Sequence, residues 1–446
     1  MKKYSKLLVL FSSLQLFFSC LITKEAYSQI PLDLEEALRL AQQNNIKLKQ
    51  QQASERVARL EELVQKVQRL PSLDFSVTSS YLSEINEIDL SQTIGIPDKR
   101  VALGGHDRSE LILGVRQPVF TGFRLQSQVD LAKNATLSEQ SKFEGLANEI
   151  YHQVHLLFYK AQSLHNQRKI LQASLKRLNI QLEQVRNLYY AAQVMAFDTL
   201  QVYNQTLSVK IELGNNLLAT KLTNLQMARL LDLKAARPIA DKPLHHPSRD
   251  AIDLKQLKAE AFQKRPELKS VRLAQQGTLI QQKLARSYYY PTIFTHANFH
   301  YAKPGLDPVT NHWMDYFSVG VNLQWNLWRW QGDQKRIEEF QVQYNQLSLE
   351  ERELLRTIEY EVEESFEKLN FSLQELQLAE KLQAQQAERY RIISVQHQNG
   401  IASTNELITA ETDLTQAELQ TQQALIKYYI FLANLSKAVG TIQENF

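Results

Sequence analysis

The side chains that could do chemistry in this chain are few and scattered. His152 and His155 lie three apart, a spacing that sets two imidazoles on one helical face. A metal site needs three or four ligands, and no third donor stands near this pair. A seam or solvated role explains the two histidines with fewer assumptions. His296 and His300 alternate onto one side of a strand-like segment, where they read as part of a polar lining. His245 and His246 sit among Pro238, Pro243 and Pro247, as exposed linker residues would. No Gly-rich phosphate loop, His-Glu-x-x-His or Cys-x-x-Cys occurs. Neither catalytic residues nor a metal or cofactor site is expected, so an enzyme reading lacks its centre. Two acids remain, Asp198 and Glu406, each just after a turn and at the start of a long apolar-periodic segment. A carboxylate there favours the helix dipole whatever else it does.

The elements that hold these residues come in two copies. Residues 41–81 and 261–301 run in register at an offset of 220, so that Ala41, Pro71 and Tyr81 fall on Ala261, Pro291 and Tyr301. Further on the offset is about 207, and Leu200 meets Leu407. Each copy reads long helix, strand, loop, strand, very long helix, turn, long helix. Repeat 1 spans 29–251, with helix 32–70, strands 72–82 and 109–119, a helical hairpin 123–233 and a linker 234–251. Repeat 2 spans 252–446, with helix 252–289, strands 291–301 and 315–325, a hairpin 332–438 and a C-terminal tail. Gly (13) and Pro (11) are scarce, as long helices require. Segments 123–192 and 333–396 contain no Pro, and at 1.5 Å per residue each reaches about 100 Å. Leu207, Ile211, Leu218, Leu222 and Leu225, and Leu354, Ile358, Leu369, Leu373 and Leu376, recur at the three-and-four spacing of a coiled-coil seam.

Four segments alternate with period two. Their apolar sets are Leu73, Phe75 and Val77; Leu111, Leu113 and Val115; Ile293, Ala297, Phe299 and Tyr301; and Phe317, Val319, Val321, Leu323 and Trp325. Ile112 and Phe294 break the alternation. A half-buried soluble sheet gives the same pattern as a membrane strand. Length of about ten residues and aromatics at the strand ends (Tyr81, Phe120, Tyr288 to Tyr290, Trp328) favour an outer-membrane barrel with these apolar residues toward lipid. Four strands cannot close a barrel, and an open edge in hydrocarbon leaves backbone groups unpaired. A homotrimer sharing a twelve-stranded barrel resolves this. The expected fold is therefore a mixed α and β membrane protein. It has duplicated long-helix/β-strand-pair repeats, and its four strands join a trimeric barrel continuous with a long α-helical barrel.

Residues 1–28 have the make-up of an export signal: Lys2 and Lys3, an apolar run over Leu7–Leu21, and Ala26-Tyr27-Ser28 as a cleavage pattern. Cleavage after Ser28 is preferred over a lipid anchor at Cys20, whose preceding Phe17-Phe18-Ser19 is bulky. The formal charge of +3 resides in this segment. Without Lys2, Lys3, Lys6, Lys24 and Glu25 the balance is zero, and no nucleic-acid partner is expected.

Three stretches then resemble one family. Pro31-Leu32-Asp33-Leu34-Glu35-Glu36-Ala37-Leu38-Arg39-Leu40-Ala41 with Asn44-Asn45 is similar to the first helix of TolC-like outer membrane efflux proteins. Gln117-Pro118-Val119-Phe120-Thr121-Gly122 resembles that family's strand-to-helix turn. Asn399-Gly400-Ile401-Ala402-Ser403-Thr404-Asn405-Glu406-Leu407 resembles its second hairpin tip. In repeat 2, Gln324-Trp325-Asn326-Leu327-Trp328 departs from the turn pattern. The resemblance implies a trimeric channel in the outer membrane of a Gram-negative bacterium, its helical part in the periplasm. It would be the exit duct of a tripartite efflux or type I secretion system, opened by docking of a periplasmic adaptor and an inner-membrane transporter. It places docking at the tips (Val194, Gly400, Ile401, Ala402, Ser403) and a constriction beside them (Asp198, Asn405, Glu406, Thr409). Glu406 stands at the first acidic position of that constriction and Thr409 at the second. Ala402 replaces the family's tip arginine. Three Glu406 carboxylates would favour cations; an ordinary helix-start acid fits the same position. The loop 84–108, outside the cell by resemblance, reads through Thr93 to Pro97 and Gly104-Gly105 as a lid or as a plain exposed loop. The alternative to the channel is a periplasmic coiled-coil adaptor or scaffold never inserted in the membrane. Such a protein would carry one hairpin rather than two.

Overall fold

The computed structural model describes residues 31–89, 100–247, 253–307 and 309–442. The export segment, Cys20, Thr93 to Pro97 and the end of the linker (248–251) lie outside the described residues. The chain divides into two compact units that cut across the repeats. Unit 1 takes the chain to Gln52, then Ser141–Lys269 and from Arg352 on; unit 2 takes Ala53–Gln140 and Ser270–Glu351.

Each leading helix is interrupted once. In repeat 1, α1 (Leu34–Asn44) starts on Asp33, whose carboxylate accepts from the Leu34 N–H at 2.8 Å. It stops at Asn45, and α2 (Ile46–Val67) follows. Asn45 Oδ1 accepts from the N–H groups of Lys47 (3.0 Å) and Leu48 (3.2 Å), capping α2. Asn45 Nδ2 donates to the carbonyl of Leu230 at 2.8 Å. In repeat 2 the break between α5 (Leu254–Lys264) and α6 (Pro266–Arg286) falls at Arg265, where Pro266 excludes the helical conformation. Arg265 Nη1 donates to the carbonyl of Ala438 at 3.0 Å and to Glu361 at 2.8 Å. The continuous helices expected over 32–70 and 252–289 are thus each two helices, with the interrupting side chain tied to the end of its own repeat's return helix.

The hairpins are α3 (Arg124–Tyr190) with α4 (Ala196–Leu230), and α7 (Gly332–Gln398) with α8 (Thr404–Val439). Both α3 and α7 run 67 residues. Among the described residues the buried apolar clusters all lie in unit 1. One gathers Ala41, Leu48, Ile150, Val154, Phe158 and Leu231; its repeat-2 likeness gathers Ala261, Leu268, Ile358, Val362, Leu369 and Val439. A parallel bridge, Leu32 to Ile239, and the Arg237–Glu36 pair (2.9 Å) tie the linker to α1. His246 pairs with Glu380 at 3.1 Å.

Unit 2 holds the sheet. β1 (Ser72–Tyr81), β4 (Asp107–Phe120), β5 (Thr292–Lys303) and β6 (Met314–Gln324) are antiparallel in the order β1-β4-β5-β6. The loop between β1 and β4 carries a small hairpin, β2 (Glu87–Asp89) with β3 (Arg100–Ala102). The register lines up one row of Phe75, Leu113, Phe299 and Phe317, and another of Leu73, Val115, Ala297 and Val319. The opposite face carries Asp74, Gly114, Asn298 and Ser318, and Thr78, Glu110, Ala302 and Met314. Ile112 and Phe294 belong to this second face. There the Arg116 guanidinium lies 4.4 Å above the Phe294 ring.

Candidate functional site: the hairpin tips and the open sheet

Both tips are built on one plan. The first turn passes through Ala192 at φ 53° and the second through Gly400 at φ 73°, left-handed positions that turn the chain out of a helix. The C-terminal carbonyls are collected by Gln193 N–H to Leu188 O (2.9 Å) and by Ile401 N–H to Gln396 O (2.8 Å). Each return helix then begins with a reciprocal carboxylate. Asp198 Oδ2 accepts from the Met195 N–H at 3.0 Å, and Glu406 Oε2 accepts from the Ser403 N–H at 2.8 Å. At the second tip Ser403 completes a capping box: its hydroxyl donates to Glu406 Oε2 (2.9 Å) and accepts from the Glu406 N–H (3.2 Å). The Ser403 N–H, then its hydroxyl, hold the Glu406 carboxyl below its usual range.

The two tips pack on each other. Val194 and Ile408 join Leu182, Val185 and Val202 in one cluster. His397 is buried at 3.4 Å from the Thr404 hydroxyl; burial lowers its basicity while the Asp198 charge opposes that shift. Glu406, Asn405 and Thr409 are exposed, and Thr409 turns its hydroxyl to the Asn405 carbonyl at 2.8 Å. Gly400, Ile401 and Ser403 are exposed, while Val194 and Ala402 are half-buried.

Two features of the tips escaped the sequence reading. The first tip bears exposed Tyr190, Met195, Phe197 and Leu200, whereas the second offers only Ile401. Four apolar residues at a turn and a helix start, where polar residues are the rule, are the signal that could have revealed them. Further up, Glu411 is fully buried between α3 and α8. It accepts from Ser174 (2.7 Å), Thr415 (2.8 Å) and Arg177 Nε (3.2 Å), and Arg177 also reaches Glu418 at 3.2 Å. A Glu in a helical pattern reads as solvated, so this network left no trace in the sequence.

The histidines separate. His152 Nε2 meets Asn434 Oδ1 at 2.6 Å, while His155 is buried and stacks on Tyr159 at 6.0 Å. Burial, helped by His152, pushes His155 down to about 4. Among the described residues no three His, Cys, Asp or Glu converge as a metal set would. On the sheet, His300 joins three strands, with Nδ1 2.8 Å from Glu110 and Nε2 2.7 Å from the Ser318 hydroxyl.

The expected lipid-facing residues of β1 and β6 (Leu73, Phe75, Val77, Phe317, Val319, Val321, Leu323) are exposed, as are Leu113 and Val115 of β4; Leu111 is half-buried. Trp325 lies one residue beyond the end of β6. Among the described residues the β1 and β6 ladders each have a partner on one side only.

The profile of one family, described as outer membrane efflux protein, matches residues 37–232 and 257–441. Comparison with curated protein sequences finds no match. Solved structures share the fold. A membrane protein from Pseudomonas aeruginosa superposes with a TM-score of 0.76 at 14% identity, over 91% of this chain and 93% of that one. The outer membrane protein VceC from Vibrio cholerae gives 0.74 at 16% identity, over 91% and 96%. The open MtrE outer membrane channel of Neisseria gonorrhoeae gives 0.73 at 14% identity, over 91% and 88%.

Proposed function

The chain belongs to the outer membrane efflux protein family, and from that premise we propose that three copies close one barrel and form a conduit opened by partners docking at the hairpin tips. It is an outer membrane efflux channel of a Gram-negative bacterium, and its work is transport rather than catalysis. A periplasmic adaptor is not favoured, since the family profile runs through both repeats.

The observation that carries the trimer is the sheet itself: four strands, two unpaired edges and one continuous apolar face. In hydrocarbon each unpaired N–H or C=O costs several kcal/mol, so β6 of one copy must pair with β1 of the next. The apolar residues Leu73, Phe75, Val77, Leu111, Leu113, Val115, Phe317, Val319, Val321, Leu323 and Trp325 then face lipid, and Glu110, His300 and Asp74 face water. The exposed row Val57, Leu60, Val64 and Val67 on α2, leading into the β1 edge, supports the same closure, because a neighbour would cover it. A detergent-extracted sample whose mass is that of three chains, and which conducts ions in a planar bilayer, is the expected result. A closed monomer would end the reading.

At the tips, Val194, Gly400, Ile401, Ala402 and Ser403 form the docking face for a periplasmic adaptor and its inner-membrane transporter. Asp198, Asn405, Glu406 and Thr409 narrow the bore. Support comes from their meeting at one end of the hairpins and from the capping box, which fixes where the Glu406 charge stands. Glu406→Gln is expected to reduce cation over anion permeability in single-channel recordings. An unchanged ratio would reduce Glu406 to a helix cap.

A further inference from the structure

We propose that His296 and His300 decide which ions pass the barrel: neutral, they leave its lining without net charge, and protonated in acid they make it select anions. The inference rests on the reading of the polar sheet face as the wall of a shared bore and goes beyond it, to what that wall selects.

The water-facing side of β5 reads Phe294, His296, Asn298, His300. The last three lie across the neighbouring strands. A Cβ on Gly320 of β6 would fall 2.6 Å from the His296 ring, and one on Gly114 of β4 would fall 2.5 Å from Asn298 Oδ1. Each glycine therefore leaves a place where a β5 side chain can lie flat. His300 reaches both ways, with Nδ1 2.8 Å from Glu110 and Nε2 2.7 Å from the Ser318 hydroxyl, and the Tyr316 ring is stacked on it at 4.5 Å. A carboxylate only accepts, so Nδ1 carries a proton whether or not the ring is charged. The Ser318 hydroxyl can donate to a bare Nε2 and accept from a protonated one. The ring can thus gain charge in place without losing a partner.

The fixed charges around the two rings balance. By register, the water-facing side of the four strands carries, among the described residues, two acids, Asp74 on β1 and Glu110 on β4, and two bases, Arg108 and Arg116 on β4. On that side β6 offers one titratable group, the phenol of Tyr316. Asp107, Lys303 and Asp315 fall on the opposite face. Arg124 of α3 lines a pocket with Arg116 and Phe294, but not the hollow that His296 lines. With acids and bases equal in number, the sign of the lining is left to the imidazoles, the side chains whose charge ordinarily changes between pH 5 and 8. Protonating both adds two positive charges to each chain, repeated three times around a trimer. A low-dielectric wall lined by one sign concentrates counter-ions and excludes ions of its own sign.

The test is the reversal potential of the full-length protein in a planar bilayer under a KCl gradient. A Glu406→Gln background keeps the tip carboxylate from contributing. Between pH 8 and about pH 5.5, where ordinary carboxylates stay ionised, the chloride-over-potassium permeability ratio should rise about fivefold. His296→Gln together with His300→Gln should abolish that rise. Each single variant should remove part of it, and the single variants decide the matter where the double variant does not assemble. A conducting trimer whose ratio ignores pH or moves toward cations, or whose rise survives both substitutions, overturns this proposal and leaves the channel standing. A protein that conducts at no pH overturns the reading of the bore, and this proposal with it.

Discussion

Repeat 1 and repeat 2 keep the same backbone events and fill them with different side chains. The leading helix breaks at Asn45 in one and at Arg265 in the other, and both reach the last carbonyls of the return helix. The tip turns left-handed at Ala192 in one and at Gly400 in the other. A serine caps α8, while methionine stands at the start of α4. What is held constant is where the chain must bend and which carbonyls must find donors, because those are obligations of the backbone. Which side chain meets each obligation is free, and its chemistry sets how much stability each site carries.

That view can be broken most sharply at the strand exits. Gly122→Val combines a positive φ with a Cβ driven against the Ser287 carbonyl, so it should abolish trimer formation in a refolding assay. Gly332→Ala, at the start of α7 with open space around it, should leave the melting temperature unchanged or raised. The next effect belongs to α8. Glu411→Ala removes the buried acceptor of Ser174, Thr415 and Arg177 Nε while Arg177 keeps Glu418, and should cost about 1.5–3 kcal/mol in chemical denaturation. Tyr203→Ala, near the matching place on α4 and exposed, should cost under about 1 kcal/mol.

The pH profile comes third. His155 is depressed to about 4 against 6.5 when unfolded, so the unfolded chain binds the extra proton between these values. Stability from this site is intact above pH 6.5 and falls as pH drops toward 4, by about 3 kcal/mol in all. His155→Phe should flatten that part of the profile in thermal melts between pH 7 and 4; a slope unchanged by the substitution would assign it to other groups. The smallest effects sharpen the comparison at the tips. Ser403→Ala should cost about 1 kcal/mol of local stability, and Met195→Ser should gain a similar amount, both read by hydrogen exchange of the first turn.

The architecture was legible wherever a period repeats. Alternation in four segments and the apolar spacing of the long helices set the element order, because burial on one side imposes its period on many residues at once. Single-residue events were not. Asn45 is one polar position in a helical pattern; its capping of α2 is local, but its tie to the carbonyl of Leu230 lies 185 residues away. Pro266 acts on its own neighbour and so carried a local signal, yet the helix was expected unbroken over 252–289. The β2–β3 hairpin is too short for a period to register. At the tips, Gly400 and the Ser403–Glu406 box could be read because capping is local. The burial of Glu411 and the contact of the two tips depend on distant partners and could not. Trp330 was the least expected, since a large ring is the poorest guess for a left-handed residue.

The seam between β4 and β5 has a further consequence. Each duplicated half brings one antiparallel pair, and that seam joins the two pairs by covalent linkage of their halves. Halves made as separate chains would have to gather six bodies to complete a ring, and every additional body forfeits rotational and translational freedom. In the trimer proposed above, tandem synthesis delivers half of those joints already formed, so assembly becomes a third-order encounter instead of a sixth-order one. A newly exported subunit at low concentration can then still find its place.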